Sequence, residues 1–349
     1  MIRILPAVAL AAILLAPAVP SIAADAMPLP LPLAREVVGK TIELVESKGV
    51  YPRSRAEYAQ ARTALLALVD GDAVQADREA VHEGIRRLLA TLDADGHSLL
   101  FAPVQYQQMQ SANVARNMTR PSAFRLVQTS RGKVLRWTPP PNVGGGQQMI
   151  DANVKRFYDE AEAHPEIRQA CALVVDLGEQ NGGNAWPPLI AMYPLFGTAN
   201  KANAVDRDGK RIPVVDRAGL ERMARANAGG RANPLAPYAD GPLAVVVGSD
   251  TSSAGEMLLV ALLGEQRVHT FGQTSDGRST LNGTYPLADG SSLVLTELRF
   301  ALGDGPVYRG GIPAMHPSAK GESADATVRT AAEWAAAHSP RCVPAPGAT

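Results

Sequence analysis

Residues 243–256 place small polar side chains directly after an aliphatic run. The segment reads LAVVVGSDTSSAGE, and apolar residues continue to 263. The run at 243–247 predicts a buried strand, and the segment from Ala254 predicts a helix. Because the first N–H groups of a helix have no partner inside it, a serine at this junction lies where developing negative charge is stabilised. Ser253 is therefore a candidate nucleophile; the simpler alternative is that the hydroxyl cluster only caps the helix.

A second aliphatic run, at residues 172–176, ends in a glycine-rich turn. The turn reads LGEQNGGN over residues 177–184. Glycine lets a backbone approach a ligand closely and present its N–H groups, as an oxyanion hole requires. By itself such a turn is common in loops. It becomes a candidate for the oxyanion hole because a second predicted strand ends at the segment that contains Ser253.

A serine hydroxyl is a weak nucleophile and needs a general base within hydrogen-bond reach. The chain has six histidines. His97 lies in the polar turn 93–98, which we expect at the surface between two parts of the chain, and His316, after a late glycine-rich turn, is the alternative. No HExxH or CxxC pattern occurs, so neither a metal-dependent hydrolase nor a cofactor is expected.

Two regions of the chain differ in their hydrophobic patterns, and together they must position these groups. Apolar residues recur at helical spacing from 34 to 92, which predicts a small helical subdomain over residues 34–100. Residues 102–122 are predicted to form a polar loop or lid. Strands then alternate with helices, which predicts an α/β core, and a catalytic domain is placed at residues 120–335.

The first 24 residues have the features of a signal peptide, since Arg3 precedes an apolar stretch and small residues follow. We therefore predict an exported protein, periplasmic or extracellular, with membrane contact only if this segment is uncleaved. In an exported chain Cys171 and Cys342 could form a disulfide; alternatively, Cys171 is simply a buried apolar residue. The formal net charge is zero and no basic block occurs, so nucleic acid is not an expected partner.

Over roughly residues 34–320 the chain resembles the tail-specific, or C-terminal-processing, serine peptidases. The motifs are DGHS at 95–98, DLxxxxGGN at 176–184, TSSAGE at 251–256, GQTSDGRST at 272–280, LxDGSxLxL at 287–295 and YxGGI at 308–312. Each motif is only moderately specific, but their shared order is strong support. The chain looks closest to the branch that includes the tricorn core and nisin-resistance-type enzymes.

The resemblance implies a crotonase-like (ClpP-like) β-sheet core with flanking helices, preceded by the helical subdomain. It implies that Ser253 is the nucleophile, that His97 is the general base, and that the oxyanion hole consists of the N–H of Ala254 and one from Gly182 or Gly183. Further site-lining residues would be Ser98, Asn184 and Arg278. A peptide or protein is the implied substrate.

Several positions depart from the family pattern. Relatives with a Ser–Lys dyad carry a lysine about 25 residues after the nucleophile, where this chain has Arg278, and an arginine cannot act as a base. No acidic residue follows the late glycine turn, so a third catalytic member is not identified. Only about 35 residues separate Ser98 from the next predicted strand, too few for a PDZ module.

These departures keep two alternatives open. The chain could be a catalytically inactive periplasmic binding protein for peptides or other ligands on the same scaffold. It could also be an esterase or another acyl hydrolase, because the chemistry at the serine would be the same.

Overall fold

A computed structural model describes residues 27–92, 96–119, 122–141 and 146–343. The predicted signal peptide at residues 1–24 and Asp95 of the DGHS motif lie outside these residues. The helices are α1 (Leu31–Ser47), α2 (Arg55–Ala67), α3 (Arg78–Ala90), α4 (Pro103–Thr119), α5 (Gln147–Glu162), α6 (Trp186–Ala191), α7 (Arg217–Ala228), α8 (Ala254–Leu263) and α9 (Ala324–His338). The strands are β1 (Leu29–Pro30), β2 (Gln75–Ala76), β3 (Leu99–Phe101), β4 (Ala123–Thr129), β5 (Gly132–Thr138), β6 (Ala172–Asp176), β7 (Ala202–Val205), β8 (Arg211–Pro213), β9 (Leu243–Val247), β10 (Val268–Gly272), β11 (Thr280–Pro286), β12 (Ser292–Leu302) and β13 (His316–Pro317).

The larger sheet has the strand order β13-β10-β9-β6-β5-β4 among the described residues. Its strands are parallel from β13 to β5, and only β4 runs antiparallel to its neighbour. Every residue of β6 and β9 is buried, because helices cover both faces of the sheet. Since β6 and β9 are adjacent and parallel, their carboxyl ends meet at one edge, and the glycine turn and the serine segment both begin there.

The two faces of this sheet have separate cores. Helices α5, α6, α7 and α8 share one apolar core with the side chains of alternate strand residues. Helix α9 covers the other face, mainly with the alanines 331, 332, 335 and 336. The chain beyond α9 is joined to the residue before β6 by a disulfide between Cys171 and Cys342, whose Cα atoms are 5.0 Å apart. Of the two alternatives for these cysteines, the structure supports the disulfide.

A second sheet contains the long β11–β12 hairpin. Strand β12 pairs with β7, which pairs with β8, and β3 pairs with the start of β12. Leu287, Leu293 and Leu295 of the hairpin share an apolar core with α1 and α3. The N-terminal helices and the hairpin are therefore packed as one body, and the boundaries at 34–100 and 120–335 stay predictions.

The mixed α/β class is confirmed, but the prediction of a polar loop within residues 102–122 is wrong, and a lid there stays a prediction. Helix α4 spans Pro103–Thr119. The segment is rich in glutamine, alanine and methionine, which favour helix without an apolar stripe. Intrinsic propensity, rather than periodicity, carried the signal there. None of the described helices has both the length and the apolar character needed to cross a membrane.

A buried contact between a histidine and a carboxylate anchors the hairpin turn to α3. His82 Nε2 lies 2.7 Å from an Asp289 carboxylate oxygen, and both side chains are almost fully buried. The other carboxylate oxygen accepts hydrogen bonds from the Ser291 N–H and hydroxyl. Burial alone would raise the pKa of Asp289, but the hydrogen bonds from His82 and Ser291 outweigh it and lower the pKa from 3.8 to about 2.

We expect Asp289→Asn to lower the free energy of unfolding by about 2 kcal/mol near pH 6. A carboxyl whose pKa is depressed by folding stabilises the fold above its unfolded pKa and loses that effect as the pH falls toward the folded pKa. The difference from wild type should therefore shrink between about pH 4 and pH 2. Urea unfolding across this range measures it, with the exposed Asp304→Asn as the control. A difference that is independent of pH would contradict the linkage.

Candidate active site

Ser253 occupies the junction between β9 and α8 in a strained conformation. Its φ is +52° and its ψ is −111°, and it is the one non-glycine residue of the described chain with a positive φ. Such a backbone costs roughly 1–3 kcal/mol and persists only where the surroundings impose it. Strain of this kind clusters at functional sites, and an ordinary helix cap does not require it. Ser253 is half-buried, so its side chain is reachable from solvent.

The glycine turn after β6 packs directly against the serine segment. The N–H of Ser252 donates to the Gln180 carbonyl over 3.0 Å. A Cβ on Gly255 would lie 2.2 Å from that same carbonyl oxygen, so only glycine fits there. Gly182 has a φ of +118°, and a Cβ on it would lie 3.2 Å from the Ser253 Cβ. The two strand ends are therefore in backbone contact beside Ser253.

The three residues predicted for the oxyanion hole follow the two strand ends, since Gly182 and Gly183 come after β6 and Ala254 begins α8. Within the described residues, the backbone N–H groups of Ala254, Gly182 and Gly183 form no hydrogen bond. Ala254 begins α8, so its N–H has no helical partner. Gly182 and Gly183 both have positive φ, and Gly182 lies against Ser253. Free donors on two sides of a serine can stabilise a tetrahedral oxyanion.

Glu256, in the first turn of α8, holds the serine segment from below. Its side chain has no exposed area. One carboxylate oxygen accepts from the Ser275 hydroxyl at 2.6 Å and the Gly277 N–H at 2.9 Å, and the other accepts from the Ser253 N–H at 3.3 Å. Burial raises the pKa of Glu256, and these hydrogen bonds oppose that rise. Glu256 belongs to the TSSAGE motif, but no sequence pattern indicated a role for it.

His97 is half-buried immediately before β3, where the β11–β12 hairpin holds it. Its Nδ1 lies 2.5 Å from Thr280 Oγ1, and its carbonyl accepts a hydrogen bond from Asn282 Nδ2 at 3.1 Å. The next residue, Ser98, accepts through its hydroxyl from the Thr296 N–H at 3.1 Å. Both the ring and the backbone of His97 are therefore fixed by the hairpin.

The hairpin also links His97 to the serine segment. Thr280 follows Ser279, whose hydroxyl is buried next to Glu256 and lowers its pKa, although it forms no hydrogen bond of regular geometry with the described residues. Glu256 in turn binds the Ser253 N–H. The contacts thus run from His97 through β11 and Glu256 to Ser253.

Two further predicted site residues either border the serine segment or stabilise a nearby helix. The Arg278 side chain is 49% exposed, with its Nε 3.5 Å from the Asp276 carboxylate. Asp276 also accepts from the Ser252 hydroxyl at 2.7 Å, so Arg278 borders the serine segment. Asn184 accepts from the Trp186 N–H through its side chain and so supports the start of α6.

His316 is placed away from the serine segment. It lies on β13 with its Nε2 3.0 Å from His269 Nδ1, and its ring stacks on Phe271. Phe271 belongs to the core under α9, whereas Ser253 leads into α8 on the opposite face. The structure therefore does not support His316 as the base. Among the described residues, no group of three or more histidine, cysteine or acidic side chains is arranged to hold a metal ion.

Comparisons with known proteins identify the family to which part of the chain is similar. Residues 146–312 match the sequence profile of Peptidase family S41. The nisin-resistance protein of Lactococcus lactis subsp. lactis is 28% identical over 169 residues, which are 48% of this chain and 50% of that protein. The chain thus spans about half the length of this curated relative.

Two solved structures share the fold over most of both chains. A lipoprotein from Streptococcus agalactiae superposes with a TM-score of 0.66 at 17% identity, covering 88% of this chain and 97% of that one. The photosystem II D1 C-terminal processing protease gives a TM-score of 0.52 at 13% identity, covering 86% and 97%. The family-level resemblance inferred from the motifs is confirmed, and the chain contains a domain of peptidase family S41 over residues 146–312.

Proposed function

We propose that this protein is an exported serine peptidase that cleaves peptide bonds by acyl transfer through Ser253, with His97 as the general base. The S41 domain supports a serine peptidase function and implies peptide or protein substrates. The observation that carries the assignment of the nucleophile is the strained backbone of Ser253, which lies between free N–H groups from two strand ends.

The proposed reaction follows from the groups at the site. His97 Nε2 takes the proton of the Ser253 hydroxyl while Oγ attacks the carbonyl carbon of the scissile peptide bond. The N–H groups of Ala254 and of Gly182 or Gly183 hold the tetrahedral oxyanion. The C–N bond then breaks, and His97 returns the proton to the leaving amine. Water, activated by His97 in the same way, hydrolyses the acyl-enzyme and restores Ser253.

Export is supported by two features of the chain and by its relatives. Residues 1–24 have signal-peptide character, and the disulfide between Cys171 and Cys342 needs an oxidising compartment to persist. The relatives include proteins named as a lipoprotein and as a nisin-resistance protein. We therefore place the chain in the cell envelope, periplasmic or extracellular. The domain limits at 34–100 and 120–335 form part of the same proposal.

The two alternatives make different predictions. A binding protein without catalysis would not need a positive-φ serine between unbonded N–H groups, so that alternative is not favoured. An esterase would use the same nucleophile and differ only in its substrates.

A fluorophosphonate probe tests the proposal directly. We expect the wild-type protein to be labelled, with the modified peptide containing Ser253, and His97→Ala to be labelled at least about 100-fold more slowly. The rates at which peptide and ester substrates with the same acyl group are hydrolysed then distinguish a peptidase from an esterase. Absence of labelling at Ser253 in the folded protein would overturn the assignment.

A further inference from the structure

We propose that Thr280 is the residue that orients His97 for its role as a base. Its Oγ1 would accept a hydrogen bond from the Nδ1–H of His97, which leaves the proton off Nε2, as a base acting through Nε2 requires. This inference rests on the proposed function, because it names the positioning residue of that same site.

The contact itself has the geometry of an orienting hydrogen bond. Thr280 Oγ1 lies 2.5 Å from His97 Nδ1, and Thr280 is only 3% exposed. The same hydroxyl lies 3.4 Å from Asn282 Oδ1, so it can donate its own proton to Asn282 and accept from His97. In that arrangement the imidazole carries its proton on Nδ1, which is the tautomer that a base acting through Nε2 requires.

Two side chains of β11 contact His97. Asn282 Nδ2 donates to the His97 carbonyl, so its amide and the Thr280 hydroxyl hold the backbone and the ring together. The pairing of β11 with β12 shifts register between Leu281 and Asn282. Such bulges re-aim side chains and are common beside active sites. We therefore infer that the bulge helps to position His97.

The Thr280 hydroxyl orients His97 without adding a charge beside it. A carboxylate at Nδ1 would both fix the tautomer and stabilise the imidazolium, whereas threonine fixes only the tautomer. A carboxylate placed at position 280 should therefore make His97 easier to protonate.

Other charged groups near this contact stay the same in every variant. On β12, Arg299 pairs with Thr280 across the hairpin. From α8, Glu256 lies behind Ser279, and the preceding turn carries Asp276 and Arg278. A change in pH dependence on substitution at position 280 therefore reports the new group and not this background.

The test compares Thr280→Val, Thr280→Ser and Thr280→Asp with wild type by the rate of fluorophosphonate labelling and of peptide cleavage from pH 5 to 9. Valine keeps the shape and removes the acceptor, so we expect both rates to fall about 100-fold or more. Serine restores the acceptor and should stay within a few-fold of wild type. Aspartate should move the acid limb of the pH profile upward by about one pH unit or more.

Thr284→Val, an exposed position on the same strand, is the matched control, and melting temperatures check that each variant folds. A Thr280→Val protein with wild-type rates and pH profile would overturn the inference. If valine prevents folding, an acid limb in Thr280→Asp that coincides with wild type overturns it instead. In both cases the wild type is still labelled at Ser253, whereas a wild type that is not labelled at any pH would overturn the proposed function and this inference with it.

Discussion

Ser253→Ala should lower kcat for peptide cleavage by roughly 10⁴- to 10⁶-fold, because the covalent route is lost and only binding and the oxyanion donors remain. The fold should survive. Alanine has the same backbone restrictions as serine at positive φ, and the Glu256 carboxylate still accepts from the N–H at position 253. Cleavage is measured with a fluorogenic peptide at substrate concentrations around KM, and stability by thermal melting.

Ser323→Ala is the matched control for this substitution. Ser323 also precedes a helix, but it has an ordinary φ of −74° and its side chain accepts a hydrogen bond from the Ala326 N–H. Its loss should cost about 1 kcal/mol of stability and leave cleavage unchanged. If Ser253→Ala behaved in the same way, Ser253 would be a helix cap and not a nucleophile.

Glu256→Gln should lower kcat by about 100-fold while costing roughly 1–3 kcal/mol of stability. With the amide oxygen facing Ser275 and Gly277, the NH2 group would face the Ser253 N–H, and two donors would oppose each other. The serine segment would then lose the contact that holds Ser253 at its strained φ. Steady-state kinetics should show the effect mainly in kcat, because substrate binding does not involve this buried side chain.

Glu265→Gln is a suitable control, since it lies just beyond the other end of α8. Its carboxylate accepts from the Gly197 N–H and the Asn200 amide through a single oxygen, so glutamine can keep both bonds. Activity and stability should stay near wild type. Equal kcat values for the two glutamine variants would show that Glu256 does not position the nucleophile.

The sequence was sufficient to predict the secondary structure around Ser253. A continuous aliphatic run identifies a strand buried on both faces, and β9 and α8 begin and end where the pattern predicts. The glycine turn after β6 was identified in the same way. Because both turns follow parallel strands, their proximity depends only on β6 and β9 being neighbours.

The position of His97 depends on contacts that no local sequence pattern contains. His97 is separated by more than 180 residues from Thr280 and Asn282, and neither contact has a periodicity or spacing that predicts it. The same holds for His82 in α3, to which the turn of the hairpin brings Asp289 from 207 residues further along the chain. Single-sequence patterns report which face of an element is buried, but they do not report which distant polar group meets it.

The alanine face of α9 has a consequence for the lifetime of the protein. Methyl groups bury little apolar area, so this last helix is held to the sheet more weakly than a leucine-rich helix of equal length. A weakly held helix separates from its sheet more readily than the core does, and its backbone is then open to proteolysis. By joining Cys342, which follows α9, to Cys171, which precedes β6, the disulfide tethers the C-terminal side of α9 to the sheet, and it should slow such proteolysis.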